Sequence, residues 1–302
     1  MGYLLTISCY LLSFSASLVI FVAFILHDPV RIILFFLGAF FWLLSLLLSS
    51  VFWFALSPIF SDPFHPTLLL SIIFQEVARV AYFWVLKKAQ NGLNKITRQT
   101  NYSMASGVSG LQNSRHMLAL VCGLGMGVTS ALFFVMNAFA TFAGPGSIGL
   151  PEALEKGTAD VNRAGKMLPL FLSLSALLLT LFHVTWTIMI WDTCHKIGRS
   201  TTVFNPAIVA IGSHFLIVGI SAFSSHGFYA FTLFLQSLIL LVTIVYCHVI
   251  LGGTVKNFAL CVTDAVQDAL TLRFVRSRFG LCSRGAIRVP DEPLTERNAI
   301  RS

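Results

Sequence analysis

Seven apolar runs, each about as long as a membrane is thick, constrain this chain more than any other feature. A transmembrane α-helix needs about 20 predominantly apolar residues to cross the hydrocarbon core. Short stretches that break helices, such as HDPVR (27–31) and SDPFHP (61–66), separate the runs. We therefore predict seven transmembrane helices, at residues 3–26, 32–57, 67–88, 116–141, 168–191, 203–223 and 228–251.

The distribution of Lys and Arg orients these helices. Sixteen of the 20 basic residues fall in one set of loops and in the C-terminal tail, while the opposite side holds only Lys156, Arg163 and Lys166. Cytosolic loops are the ones that collect Lys and Arg. The sequence therefore predicts an all-α membrane protein, a bundle of seven transmembrane helices with a lumenal or extracellular N-terminus and a cytosolic C-terminus.

Composition excludes several other classes of protein. Only 11% of residues are charged, whereas soluble domains carry about 25%. The net charge of +8 does not indicate nucleic-acid binding, because most basic residues lie beside apolar spans. The Asp-Arg-Tyr and Asn-Pro-x-x-Tyr motifs of G-protein-coupled receptors are absent from the third and seventh spans. An aspartyl protease needs two carboxylates in one site, and no Asp lies within any predicted span, which leaves Glu76 as the one carboxylate there.

Four ionisable residues do lie inside the predicted spans. Glu76 and Arg79 are three residues apart in FQEVARVAYF and can pair on one helical face. At 1.5 Å per residue, these two, His183 and His214 come out about 11–16 Å from the cytosolic ends of their spans. Three interpretations are open: the four residues satisfy one another, they line a wet cavity or ion path, or they meet polar groups of a partner helix.

The fourth predicted span contains three closely spaced glycines, in VCGLGMGVTSALFF (121–134). Gly123 and Gly127 form a Gly-x-x-x-Gly motif, and Ala119 and Ala131 extend the same helical face at spacings of four residues. Small residues let another helix approach closely, which drives helix association in lipid. Gly125 lies off this stripe and can thin a second face. The stripe predicts close packing, either within the protein or with a partner.

The motifs taken together resemble the anterior-pharynx-defective family. They are GAFFWLLSLLLSSVFW, FQEVARVAYFWVLKKA, the Gly-x-x-x-Gly of the fourth span, FHVTWTIMIWDTC and GSHF, and the resemblance covers residues 1–255 in order. That family supplies the seven-span scaffold subunit of γ-secretase, a complex that cleaves type I membrane proteins such as Notch and amyloid precursor protein.

The resemblance implies a non-catalytic subunit that joins nicastrin, presenilin and presenilin enhancer in the endoplasmic reticulum, Golgi and plasma or endosomal membranes. It implies that Gly123 and Gly127 are assembly glycines and that His183 and His214 help to hold presenilin. Ala131 stands where the family often has a third glycine. The alternative function is a polytopic transporter or channel that uses the intramembrane layer of Glu76, Arg79, His183 and His214.

Outside the spans, the sequence predicts three regions. A transmembrane domain at 1–255 is followed by a juxtamembrane amphipathic segment at 256–279, suited to anionic lipid, and by a flexible cytosolic tail at 280–302. Residues 90–115 form a serine-rich cytosolic loop. Cys194, Cys261 and Cys282 lie near the membrane, where they are plain thiols or palmitoylation sites. No cofactor, metal or soluble small-molecule substrate is indicated.

Overall fold

Seven α-helices account for nearly all of the residues that the structure describes. The computed structural model describes residues 3–59, 64–100, 115–143, 167–197, 205–221, 223–224, 227–254, 257–258, 260 and 263. Within these ranges there is no β-strand. The helices are α1 (Tyr3–Phe24), α2 (Pro29–Leu56), α3 (Phe64–Thr100), α4 (Arg115–Ala143), α5 (Met167–Lys196), α6 (Asn205–Ser221) and α7 (Tyr229–Ile250).

Six of these helices, all but α6, are long and apolar enough to cross a membrane. The all-α fold and the multi-pass membrane class are therefore confirmed. Helix α6 is also apolar but has 17 residues, which is at the lower limit for a span. The seventh span and the orientation of the termini stay predictions.

The local sequence explains where α2 begins. Asp28 occupies the N-cap and its side chain accepts a hydrogen bond from the N–H of Val30 at 3.0 Å, while Pro29 fills the first helical position. A capping carboxylate and an N1 proline are both favourable there. Arg31 then donates to the carbonyl of Phe24 at the end of α1, at 2.7 Å. The HDPVR stretch is thus a tight, hydrogen-bonded connection between two helices.

The predicted loop at 90–115 was wrong at its N-terminal end. Helix α3 continues through residues 90–100 and α4 begins at Arg115. Extending an existing helix costs far less than nucleating a new one, so a polar segment can continue the helix beyond the apolar run. Residues 101–114, with most of the serine-rich sequence, lie outside the described residues.

Helices α4 and α5 form the centre of the bundle. In each of them 67% of the membrane-competent window is buried, against 17% in α1 and 33% in α2 and α3. Helix α4 packs between α2 and α5, and α5 also contacts α1, α3 and α6. Most residues carried by α4 and α5 are therefore buried, and these two helices carry the predicted glycine stripe and His183.

The chain divides into two compact units, Met1–Cys247 and His248–Ser302, and the first contains every predicted site residue. In the second unit, Gly252 takes a φ of +92°, and the N–H of Gly253 bonds to the carbonyl of His248 at 2.9 Å. This left-handed glycine ends α7 in the usual way. Of the predicted amphipathic segment, the structure describes residues 257, 258, 260 and 263, which are helical. The rest of that segment, the tail at 280–302, Cys261 and Cys282 lie outside the described residues.

Candidate functional site: a buried polar cluster seated on glycines

Glu76 and Arg79 form an ion pair inside the bundle. Nη1 of Arg79 donates to Oε1 of Glu76 at 2.5 Å, across one turn of α3. Arg79 is completely buried and Glu76 is 6% exposed. A buried charge is costly unless it is paired, so the spacing of three residues gives each charge its partner within the same helix.

Both intramembrane histidines close onto this pair. Nη2 of Arg79 donates to Nδ1 of His183 on α5 at 2.5 Å, and Nδ1 of His214 on α6 donates to Oε1 of Glu76 at 2.5 Å. A guanidinium has donors only, so Nδ1 of His183 accepts and its proton is on Nε2. The four residues that the sequence singled out thus form one buried cluster, which joins α3, α5 and α6 and is called the polar cluster below.

Gly123 and Gly127 bring α4 against α5 on either side of His183. A Cβ added at Gly123 would lie 2.8 Å from Cα of Val184 and 3.0 Å from the carbonyl oxygen of His183. One added at Gly127 would lie 2.7 Å from the carbonyl oxygen of Thr180 and 3.0 Å from Cβ of His183. Even alanine would therefore have to displace backbone atoms. The Gly-x-x-x-Gly face packs within the protein, and the residue it seats belongs to the polar cluster.

Gly125 serves a different neighbour. A Cβ at this position would overlap the carbonyl oxygen of Phe35 on α2 and lie 3.2 Å from the backbone nitrogen of Ala39. Gly38 of α2 faces α4 in the same contact, since a Cβ added at Gly38 would lie 2.5 Å from the carbonyl oxygen of Cys122. The prediction that Gly125 thins a second face is confirmed. The three glycines together let α4 lie in backbone contact with two helices.

Ala131 continues the glycine stripe at a wider separation. It is fully buried in a small cluster with Cys9 of α1, Val135 of α4 and Ala176 of α5. Its methyl group therefore has room that Gly123 and Gly127 do not leave. The contact of α4 with α5 thus involves glycines beside His183 and an alanine pair, Ala131 and Ala176, further along α4.

Comparison with known proteins places this arrangement in a family. A family model described as Aph-1 protein matches residues 4–254, which is most of the chain. The chain belongs to the Aph-1 family. It is 59% identical over 302 residues to a protein of Caenorhabditis elegans named gamma-secretase subunit aph-1, covering 98% of this chain and 97% of that one.

More distant members of the Aph-1 family match over most of their length. The gamma-secretase subunit Aph-1 of Drosophila melanogaster is 31% identical over 84% of this chain and 96% of its own. The gamma-secretase subunit APH-1B of Homo sapiens is 29% identical over 84% of this chain and 91% of its own. The recognition made from the sequence motifs is therefore confirmed.

Two tryptophans complete the polar cluster of this Aph-1 chain, and sequence reasoning missed both. The ring of Trp186 stacks on His214 with centroids 4.1 Å apart, and the Arg79 guanidinium lies 5.3 Å from its centroid. Its Nε1 donates to Oγ of Ser213 at 2.8 Å, and Nε1 of Trp191 donates to the Arg79 carbonyl at 3.2 Å. For Trp186, the sequence did contain a signal of its place in the cluster. It lies three residues after His183, which places both side chains on one face of α5.

Glu76 is not the only buried carboxylate among the described residues. Asp192 lies in the last turns of α5, one residue beyond the predicted span, and is 6% exposed. The apolar run ends at Trp191, but the helix continues, and Oδ2 of Asp192 accepts from Nζ of Lys196 at 2.6 Å. Asp192 is thus paired along its own helix. Cys194, one of the three cysteines near the membrane, is also buried there.

The geometry favours mutual satisfaction among the three interpretations of the polar layer. Each member of the polar cluster has a partner on α3, α5 or α6 at hydrogen-bonding distance. Two buried atoms, Oε2 of Glu76 and Nε of Arg79, have no partner among the described residues. The same described residues contain no group of His, Cys, Asp or Glu placed to hold a metal ion. The arrangement can fix the mutual rotation of three helices, because interhelical hydrogen bonds are directional.

Proposed function

We propose that this Aph-1 family chain is a non-catalytic scaffold subunit of γ-secretase, a membrane complex that cleaves type I membrane proteins such as Notch and amyloid precursor protein. The observation that carries the proposal is the 59% identity to gamma-secretase subunit aph-1 over 97–98% of both chains. The partners that we propose are presenilin, nicastrin and presenilin enhancer.

The polar cluster supports a scaffold more than a catalyst. Peptide-bond hydrolysis by the aspartyl mechanism needs two carboxylates that share a site, whereas the polar cluster contains Glu76 alone, already bonded to Arg79 and His214. In this proposal the cluster orders α3, α5 and α6 so that they present a defined outer surface to the partner subunits. His183 and His214 then support presenilin binding by holding that surface.

The proposed topology places seven spans in the membrane with the N-terminus lumenal or extracellular and the C-terminus cytosolic. It rests on the excess of basic residues on one side and on six helices that are long and apolar enough to span. Helix α6 would be the seventh span, held by His214 and Ser213 against α3 and α5. The proposed compartments are the endoplasmic reticulum, Golgi and plasma or endosomal membranes.

The test is affinity purification in a mild detergent, with mass spectrometry of the proteins that accompany the chain. The native chain and Gly123→Leu are compared, with Gly212→Leu as the control, because a Cβ at Gly212 meets nothing within 4 Å. We expect presenilin, nicastrin and presenilin enhancer with the native chain, and at least a tenfold loss of all three with Gly123→Leu relative to the control. A native chain that purifies alone would contradict the scaffold function.

The transporter or channel alternative receives no support from the comparisons, in which every relative described above is named as a gamma-secretase subunit. It makes a distinct prediction, namely currents or uptake by the chain reconstituted without partners. We expect none. Conduction that disappears with Glu76→Gln would revive the alternative and assign the polar cluster to it.

A further inference from the structure

Helices α3, α4 and α5 enclose a pocket at the end of the bundle where α4 begins and α5 ends. Its volume is about 30 Å³, and its lining includes Lys87, Gln90, Arg115 and His195 over an apolar floor of Phe83 and Trp191. We call it the basic pocket. It is far smaller than the sites that enclose a whole small molecule, so it suits one compact charged group at the surface, and it borders the polar cluster at Trp191.

The basic pocket carries positive charge without a matching carboxylate. Lys87 and Arg115 have no ion-pair partner in the part of the chain that the structure describes. No acidic residue follows Glu76 within α3, and α4 contains none. The acidic residue near the end of α5, Asp192, is bound to Lys196. Among the described residues, Asp192 is therefore the one carboxylate near the basic pocket, and it is shared with Lys196, so the positive charges of Lys87 and Arg115 are in excess.

The aromatic residues fix how Lys87 is held. Its ammonium lies 5.6 Å from the ring centroid of Phe83 and 5.0 Å from that of Trp84, and Phe83 also packs edge-to-face on His195 with centroids 4.7 Å apart. Aromatic faces attract a cation and leave its N–H donors free for another acceptor. Lys87 is half-buried, whereas its neighbour Lys88 is exposed. The fold thus separates one pocket lysine from one surface lysine in consecutive positions.

The position of the basic pocket suits a ligand at the membrane surface. Trp84 and Val85, three and two residues before Lys87, expose half of their surface on the outside of α3, which offers lipid chains a place to lie. Arg115 is the first residue of α4, and His195 lies in the last turn of α5, so the basic pocket lies where these two helices leave the bundle. In the topology proposed above, this end of the bundle faces the cytosolic leaflet, where the anionic lipids are.

We propose that the basic pocket binds a phosphate monoester, as carried by the headgroup of a phosphorylated inositol lipid. The guanidinium of Arg115 can bind two phosphate oxygens at once and Lys87 supplies a point charge. Gln90 and His195 add neutral hydrogen-bonding groups, and the apolar floor keeps competing water out from below. A soluble inositol phosphate shares this chemistry, and the experiment separates the two sources.

The test uses the full chain in phosphatidylcholine nanodiscs and a titration with fluorescent phosphatidylinositol bisphosphate. Lys87→Gln and Arg115→Gln are compared with Lys88→Gln, which removes the same charge from the adjacent surface position. One basic residue near an anionic lipid contributes a factor of about five in binding. We expect each pocket variant to weaken binding about fivefold, and Lys88→Gln to change it by less than twofold.

Soluble inositol trisphosphate distinguishes the sources of the phosphate. Failure to displace the lipid supports a lipid headgroup that needs its chains, and displacement at equal concentration supports a soluble phosphate ligand of the same pocket. Equal losses with Lys87→Gln and Lys88→Gln, or binding unchanged by either pocket variant, would overturn the proposal. Each variant is first checked for monodisperse elution, and the two pocket variants are independent, so misfolding of one leaves the other to decide.

Discussion

Helices α4 and α7 both pack against α5, and they do so in opposite ways. Helix α4 has no side chains at its contact with α5, because Gly123 and Gly127 lie there. Its backbone therefore reaches the backbone of α5 at Thr180, His183 and Val184. Helix α7 presents polar side chains. Gln236 of α7 accepts from Oγ of Ser175 on α5 at 3.3 Å and donates to Oγ of Ser221 at the end of α6 at 3.2 Å.

The two contacts also differ in how much of each helix they bury. In α4, 67% of the membrane-competent window is buried, whereas in α7 the share is 22%. The buried residues of α7 are spaced three or four residues apart along the helix. They are Thr232, Gln236, Leu240, Thr243 and Cys247. Helix α7 is thus attached along a narrow, partly polar stripe, and its other faces are apolar and exposed.

The difference shows two solutions to the same physical problem. Lipid is as apolar as leucine, so burial of apolar side chains does not drive helices together, and close packing or hydrogen bonding must do so instead. Backbone contact is intolerant of added atoms, and it occurs where His183 must be held within hydrogen-bonding distance of Arg79. Side-chain hydrogen bonds tolerate small movements, and they hold a peripheral helix.

The largest effect is expected from Gly127→Leu. The new side chain would collide with the backbone of Thr180 and with His183 of α5, and the backbone of a packed helix cannot move aside easily. We therefore expect the free energy of unfolding to fall by at least about 3 kcal/mol, the upper part of the range for overpacking. Unfolding of the isolated chain in detergent, followed by circular dichroism, measures it.

Gly212→Leu is the matched control because Gly212 lies in a helix and a Cβ there meets nothing. Replacing glycine in a helix removes up to about 1 kcal/mol of intrinsic cost, so this variant should be neutral or slightly more stable. Equal stability of the two variants would mean that α4 and α5 do not touch as described.

A smaller effect is expected from Gly125→Ala, which probes the contact of α4 with α2. The added methyl group overlaps the carbonyl oxygen of Phe35. We expect the free energy of unfolding to fall by about 1–2 kcal/mol, because one methyl group displaces the neighbouring helix less than a leucine side chain does. Gly219→Ala serves as its control, since Gly219 is exposed and has open space around it. Thermal unfolding of the two alanine variants should separate them, and coincident curves would contradict the α2–α4 contact.

The smallest effect is expected from Gln236→Leu in α7. Interhelical hydrogen bonds in membranes contribute about 0.6 kcal/mol on average and at most about 1.7, and Gln236 makes two of them. We therefore expect a loss of about 1 kcal/mol in the same unfolding measurement. Gln75→Leu is the comparison, because Gln75 bonds to Ser71 within its own helix. A loss as large as that of Gly127→Leu would remove the distinction between the two kinds of contact.

Features that depend on a single helix could be predicted from the sequence. The pairing of Glu76 with Arg79 and the shared face of Gly123, Gly127 and Ala131 follow from helical periodicity, which places residues three or four apart side by side. The long apolar runs likewise predicted the helices, six of which meet the length and composition of a span. Such features need only the local geometry of an α-helix.

Features that depend on how helices are rotated against one another could not be predicted. Arg79 and His183 are 104 residues apart in sequence, and periodicity does not say which helix faces which. For the same reason the sequence left open whether the glycine stripe packs inside the protein, and it gave no partner for Gly125. The extension of α3 to Thr100 and of α5 past Asp192 was missed because hydropathy marks where apolar residues stop, and a helix can continue beyond that point.

The glycine face and the polar cluster meet at His183, and we expect them to stabilise the protein as one unit. A double-mutant cycle between Gly127→Ala and Arg79→Lys measures this coupling, with the free energies of unfolding of the isolated chain as the readout. Lysine keeps the charge opposite Glu76 but has one nitrogen in place of the two that arginine uses, Nη1 toward Glu76 and Nη2 toward His183.

If Gly127 seats His183 against Arg79, the alanine variant already displaces that histidine, and Arg79→Lys should then cost less than it does in the native background. We predict a coupling of at least about 0.5 kcal/mol, which exceeds the usual deviation for independent sites. Strictly additive losses of unfolding free energy would show that the glycine face and the polar cluster act separately, and would contradict their coupling through His183.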